Sequence, residues 1–317
     1  MNISLISEDK QIEKFVEDQL HIFWLPNEVK AEKDVQDILV NMTEAEKHGV
    51  ITTLKLFSLY EMEAGNEYWG NRFKRIFPDK IEFLKMASVF SMFELAVHLP
   101  FYKKLNELLY LDSDEFYNAY TKDDTLRERI EFIEGIIDSR DDLLSLALFS
   151  LVEGAILYSS FAFIKHFQTQ GKNKLLNICR GINFSAKDEN IHSIAGAYCY
   201  RLKLAESNLT SEEKEYLKKR ILQSAEKIYE HEARIVDMIF EKGKIEGITD
   251  VQMKNFVQSR INLCLKELDI PKLFEVGYNP ISEWFYDNLN GYQHNDFFTG
   301  IGSSYNRNWA ESEFTWS

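Results

Sequence analysis

From Val35 onward, apolar positions recur at spacings of three and four. Val35, Ile38, Leu39 and Met42 predict a short amphipathic helix. Thr43 reads as the N-cap of the next, with Glu46 three residues on to close a capping box. That helix carries Ile51, Leu54, Phe57 and then Glu61, and runs toward Arg75. Pro78-Asp79 interrupts the pattern, and a further helix spans Ile81 to Leu109. Helical stretches follow from Asp112 through Ile137, then a helix from Leu143 to Phe167 that is apolar on every face. Leu175 to Arg201, Ser211 to Lys242 and Val251 to Leu268 complete the series. Before this region the chain reads as irregular, with His21-Ile-Phe-Trp-Leu-Pro26 as an aromatic entry segment. There is no strand alternation and no internal repeat, so the fold class is all-α.

After Pro280 the pattern dissolves into Asn, Gly, Ser and spaced aromatics. The expected organisation is a helical domain over residues 1–287 and a flexible tail over residues 288–317. Phe297, Phe298, Tyr305, Trp309, Phe314 and Trp316, with Glu311 and Glu313 among them, suit docking onto another protein. The plainer alternative is a tail that packs back on its own domain.

Composition narrows the function. Only 5 prolines and 14 glycines interrupt 317 residues, in keeping with long helices. A net charge of −14 without any basic stripe argues against direct nucleic-acid binding. Three cysteines, none in a CxxC pair, do not read as a disulfide framework, and the first ten residues lack the basic start and apolar core of a signal peptide. A cytoplasmic location is expected. Leu143 to Ile164 is apolar enough to suggest a membrane span, but Glu153 at its middle favours a buried core helix.

That glutamate opens the candidate chemistry. A carboxylate on an all-apolar helix must be protonated, paired or metal-bound; a hydrogen-bonded core glutamate is the bland alternative. Glu189-Asn-Ile-His192 puts a carboxylate and an imidazole on one helix face. Glu94, His98 and Tyr102, each four residues apart, form a second such stripe with a phenol at its end; a satisfied core histidine would be the commoner outcome. On the first long helix either Glu61 or Glu63 could add a carboxylate, and Glu61 follows the face of Leu54, Phe57 and Ser58 best. Glu61, Glu94/His98, Glu153 and Glu189/His192 thus come from four predicted helices, the donor pattern of di-metal carboxylate bundles. His231-Glu232 begins like a zinc-protease H-E-x-x-H, but Ile235 stands where the second histidine is required, and a solvated helix face is expected there.

With these residues in place, the chain resembles the small subunits of class I ribonucleotide reductases over nearly its whole length. The marks are Phe23-Trp24-x-Pro26-x-Glu28, Leu56-Phe57-Ser-x-x-Glu61 with Gly65, and His98-x-x-x-Tyr102. Further on come Glu153-Gly-Ala-Ile, Lys187-Asp188-Glu189-x-x-His192 and Asp296-Phe-Phe-Thr-Gly. The resemblance implies a ferritin-like bundle with additional helices and a pair of metal ions, iron first, with manganese or a mixed pair as alternatives. It implies metal ligation by Glu61, His98, Glu153, Glu189 and His192. It makes Tyr102 the radical-bearing tyrosine, and Trp24, Asp188 and the tail residue Tyr305 the relay to a large subunit, with Trp309 competing for the last place. Without it, Trp24 and Asp188 would read as packing and hydrogen-bonding residues. A homodimer and a flavoprotein activator are further expectations from the family. Another ferritin-like di-metal oxidase, acting on a small organic or lipid-like ligand, is the alternative.

Two departures stand out. The family's first-helix ligand is usually Asp, here Glu61. The family also usually shows E-x-x-H before the tyrosine, which would put the carboxylate at Leu95 and not at Glu94. Pro100 cannot donate to the Ala96 carbonyl, so either a π-type bulge realigns Glu94 or the centre lacks that ligand and binds metal weakly or differently.

Overall fold

The computed structural model describes residues 5–286, and within them the chain is helical without a strand. The main helices are α1 (Lys10–His21), α2 (Glu44–Met62), α3 (Ile81–Phe93), α4 (Leu99–Leu108) and α5 (Asp124–Ile137). They continue with α6 (Asp142–Ala155), α7 (Tyr158–Lys165), α8 (Leu176–Glu206), α9 (Ser211–Ile239) and α10 (Asp250–Glu267).

α6 lies at the centre, packed against α5, α8, α9 and α10. Being enclosed on every side explains why it is apolar on every face. The apolar window of Asp142–Gln168, long enough to cross a membrane, is wholly buried inside the protein. α6 and α8 are also joined by a reciprocal pair of hydrogen bonds: the Ser150 hydroxyl donates to the Ser193 carbonyl at 2.7 Å, and the Ser193 hydroxyl to the Ser150 carbonyl at 2.8 Å. Their approach needs Gly154, where a Cβ would stand 2.3 Å from Ser193 Oγ and 2.4 Å from Cys264 Sγ.

The expected capping box forms: Thr43 Oγ1 accepts from the Glu46 amide, and the Glu46 carboxylate accepts from the Thr43 amide. α2 then widens into a ten-residue π-helix, Glu63–Arg72. Between α3 and α4 a further π-turn, Glu94–His98, closes with the Leu99 amide donating to the Glu94 carbonyl. This is the expected bulge upstream of Pro100.

Three expectations fail. The N-terminal region is not irregular: Asp9 caps α1 through the Gln11 and Ile12 amides, and Ile12, Phe15, Val16 and Gln19 form its buried face. The apolar helix predicted as one piece is two, broken at Ile156 and Leu157, the latter with φ +71. Finally, His231 and Glu232 are not a solvated face. His231 is buried edge-on to Phe132, and Glu232 is fully buried, 3.0 Å from Arg129 and accepting from Ser159 at 2.6 Å. The proposed tail, with Tyr305 and Trp309, lies outside the described residues.

Candidate metal centre

The six predicted donors meet in one buried box. Glu61 comes from α2, Glu94 and His98 from the π-turn, Glu153 from α6, and Glu189 and His192 from α8; none is more than 1% exposed. Glu63 is only half-buried and stays outside. The donor atoms fall into two sets, each within 4.8 Å: Glu61, Glu94, His98 and Glu189, and Glu94, Glu153, Glu189 and His192. Glu94 and Glu189 belong to both. One Glu94 oxygen lies 2.9 Å from His98 Nδ1 and the other 2.7 Å from His192 Nδ1. The Glu189 oxygens straddle the same two rings at 3.4 Å and 3.7 Å. Glu94 and Glu189 thus each face both histidines.

The π-turn makes this possible. It takes up the residue that separates Glu94 and His98 beyond an E-x-x-H spacing, so that α3 and α4 keep their faces while both groups point to the same side. Gly65 lets α2's extension press against the bulge, since a Cβ there would stand 2.7 Å from Glu94 Cβ.

The box contains more negative charge than it can neutralise. Burial, then the Glu94 charge, pushes the Glu61 carboxyl well above its usual range. Burial, then Glu189 and Glu94, does the same to Glu153. Burial opposes ionisation of Glu94 too, but His98, Glu61 and His192 outweigh it and hold this carboxyl low. His192 rises to about 9 despite burial, because Glu94 and Glu189 favour its cation. Both oxygens of Glu61 and of Glu189 accept no hydrogen bond. Orphaned carboxylate oxygens in a dry site, beside imidazole nitrogens, fit hard or borderline divalent cations such as iron and manganese.

On one side of the box a hydrogen-bonded chain leads outward. His98 Nε2 lies 2.9 Å from Asp188, which also accepts from Trp24 Nε1 at 2.8 Å and from Gln19 at 2.8 Å. Trp24 stacks toward the His98 ring with centroids 6.0 Å apart. Gln19, on the face of α1, was missed by the sequence reading. On the α4 side Tyr102 is fully buried and stacks on Phe57 at 4.3 Å, with Phe161 stacked beyond. Its hydroxyl makes no hydrogen bond; the Ser185 hydroxyl faces it without reaching bonding geometry. Burial first and Glu61 second hold its pKa well above the ordinary tyrosine value, so the phenol keeps its proton.

Two further residues escaped the sequence. Tyr60 donates to one Glu153 oxygen at 2.8 Å and Trp69 Nε1 to the other at 2.6 Å. Both read as core aromatics from periodicity, and only their polar tips distinguish them.

An all-helical bundle enclosing a carboxylate–histidine box defines a di-metal class of protein. The sequence model for ribonucleotide reductase, small chain, matches residues 4–280, and the chain belongs to that family. Among its relatives, the probable ribonucleoside-diphosphate reductase small subunit of Invertebrate iridescent virus 3 is 24% identical over 93% of this chain and 82% of that protein. The ribonucleoside-diphosphate reductase subunit beta of Bacillus subtilis is 25% identical over 95% of this chain and 90% of that one. The fold is shared with a putative class I ribonucleotide reductase from Bacillus halodurans, with a TM-score of 0.78 at 22% identity over 88% of this chain and all of that one. It is shared also with the dimanganese(II) NrdF of Streptococcus sanguinis, with a TM-score of 0.76 at 20% identity over 91% and 99%.

Proposed function

We propose that Glu61, Glu94, His98, Glu153, Glu189 and His192 hold two metal ions, iron or manganese, and that this centre makes the chain the radical-generating partner of a ribonucleotide reductase large subunit. The observation that carries this reading is the paired placement of two carboxylates: Glu94 and Glu189 each turn one oxygen toward His98 and the other toward His192. When bound, the metal pair supplies a one-electron oxidant.

The chain's own residues do the rest. Tyr102, shielded from water by Phe57 and, behind it, Phe161, would be the residue that holds the radical which this oxidant generates. Tyr60 and Trp69 fix both oxygens of Glu153. Trp24, Asp188 and His98 relay the oxidising equivalent outward, and Gln19 keeps the Asp188 carboxylate aimed between them. In the tail beyond residue 287, Tyr305 is the last relay on this chain before a cysteine of the large subunit. The working assembly is a cytoplasmic homodimer docked to the large subunit, with a flavoprotein as activator.

The test is metal stoichiometry joined to turnover. The full-length chain should bind two Mn(II) or two Fe(II) and, after activation, support ribonucleotide reduction only with a large subunit. Glu94→Ala should lose at least one metal. A chain that binds no more metal than Glu94→Ala would remove the reading.

A further inference from the structure

Arg260 on α10 is 95% buried, yet among the described residues it forms no ion pair. Burying a guanidinium without a carboxylate is costly, so its neutral partners define its role. All of them are informative. Its Nε donates to the carbonyl of Gly154, the residue after Glu153. Its Nη2 donates to the Asn190 side chain at 2.9 Å, the residue after Glu189. Its plane lies 4.0 Å over the ring of Tyr158, the first residue of α7. The Tyr158 ring in turn packs against Phe285, with ring centroids 5.8 Å apart.

The Gly154 contact has a structural cause. α6 stops at Ala155 because Ile156 turns extended and Leu157 adopts left-handed backbone. A helix that ends leaves its last carbonyls unpaired and its terminus negative. Inside a dry core no water can satisfy them. Arg260 supplies both a donor and a positive charge at that end, one residue from Glu153.

Phe285 belongs to the helical segment 280–286, which Tyr158 joins to the guanidinium. Phe285 is fully buried there against Tyr158 and Phe256, and Lys165 grips it twice, donating to its carbonyl at 3.3 Å and lying 3.9 Å over its ring.

We propose that Arg260 is a positioning residue that couples the 280–286 segment to the backbone of α6 and α8, so that displacement of this segment is felt at Glu153 and Glu189. This rests on the reading of those two glutamates as metal ligands. The coupling requires a planar, multi-donor cation. Lysine could reach one acceptor but could not bond both while stacking on Tyr158.

The test uses the full-length chain with Mn(II) alone, comparing wild type, Arg260→Lys and Phe285→Leu. Mn(II) affinity and the electron paramagnetic resonance spectrum of the bound ion are measured alongside amide hydrogen exchange of the metal-free protein. Arg260→Lys should weaken Mn(II) binding about tenfold and alter the spectrum. Phe285→Leu removes the ring that packs on Tyr158 and leaves Arg260 in place, so it is the milder probe. It should speed exchange at residues 153–158 and 189–193 while leaving α3 and α5 unchanged. If Phe285→Leu exchanges like wild type at those residues, the coupling is wrong, whatever Arg260→Lys does to folding. If the exchange changes appear but wild type takes up no Mn(II), the coupling stands and the ligand reading falls.

Discussion

At the residue scale, the relay side of the box makes the sharpest claim. Asp188 is shared by Trp24, Gln19 and His98, and each contact is close to 2.8 Å. Asp188→Asn keeps the volume but removes the negative charge on the oxygen that Trp24 and His98 share, weakening the chain. We predict a radical that still forms, with turnover in the presence of the large subunit down by roughly 100-fold, about 2.7 kcal/mol. Equal loss of radical and turnover would instead make Asp188 part of the metal-binding shell. The donors themselves were legible in the sequence because charged groups on apolar helix faces are costly and stand out. Tyr60, Trp69 and Gln19 were not. The two aromatics count as core by any periodicity, and a glutamine on a buried face looks like an interruption.

At the element scale, the π-turn Glu94–His98 carries the departure from the family's spacing. Its extra residue is absorbed locally, and α3 and α4 keep their faces on either side. Deleting Ala96 should therefore be tolerated, returning the turn to α geometry and retaining Mn(II) binding. Deleting Asn190 between Glu189 and His192, in the regular helix α8, should abolish it. Mn(II) titration with far-ultraviolet circular dichroism separates the two results, and loss of binding in both would deny the π-turn its role. Pro100 made the bulge readable in advance. The break at Leu157 had no such marker: no Gly or Pro stands there, and the enclosing helices keep every position apolar. α1 was missed for a related reason. Its buried face ends in Gln19, whose polarity serves Asp188 and spoils the apolar stripe.

At the scale of the whole molecule, the bundle holds buried charge outside the metal box, and this has a pH consequence. Burial pulls the Lys165 pKa from 10.5 down to about 7. Below pH 7 the folded and unfolded chains both carry the proton, and folding bears the full penalty of burying it. Between about pH 7 and 10.5 the folded protein sheds the proton while the unfolded chain retains it, so this residue's contribution to stability rises with pH. The unfolding free energy of wild type minus that of Lys165→Met should climb across this window. A flat difference would mean that Lys165 stays charged in the fold. The overall architecture was legible because its helices are long, capped and periodic, and because donors of the right kind came from four of them in order.

The central claim is that Tyr102 stores a radical made at the carboxylate–histidine box. Low-temperature electron paramagnetic resonance tests it most directly, on the full-length chain loaded with iron or manganese and exposed to oxidant, beside Tyr102→Phe. The account predicts a tyrosyl doublet in the wild type that is absent from Tyr102→Phe, although that variant still binds two metals per chain. A doublet of equal intensity in Tyr102→Phe would contradict it and place the radical on another residue, with Tyr60 the first to examine.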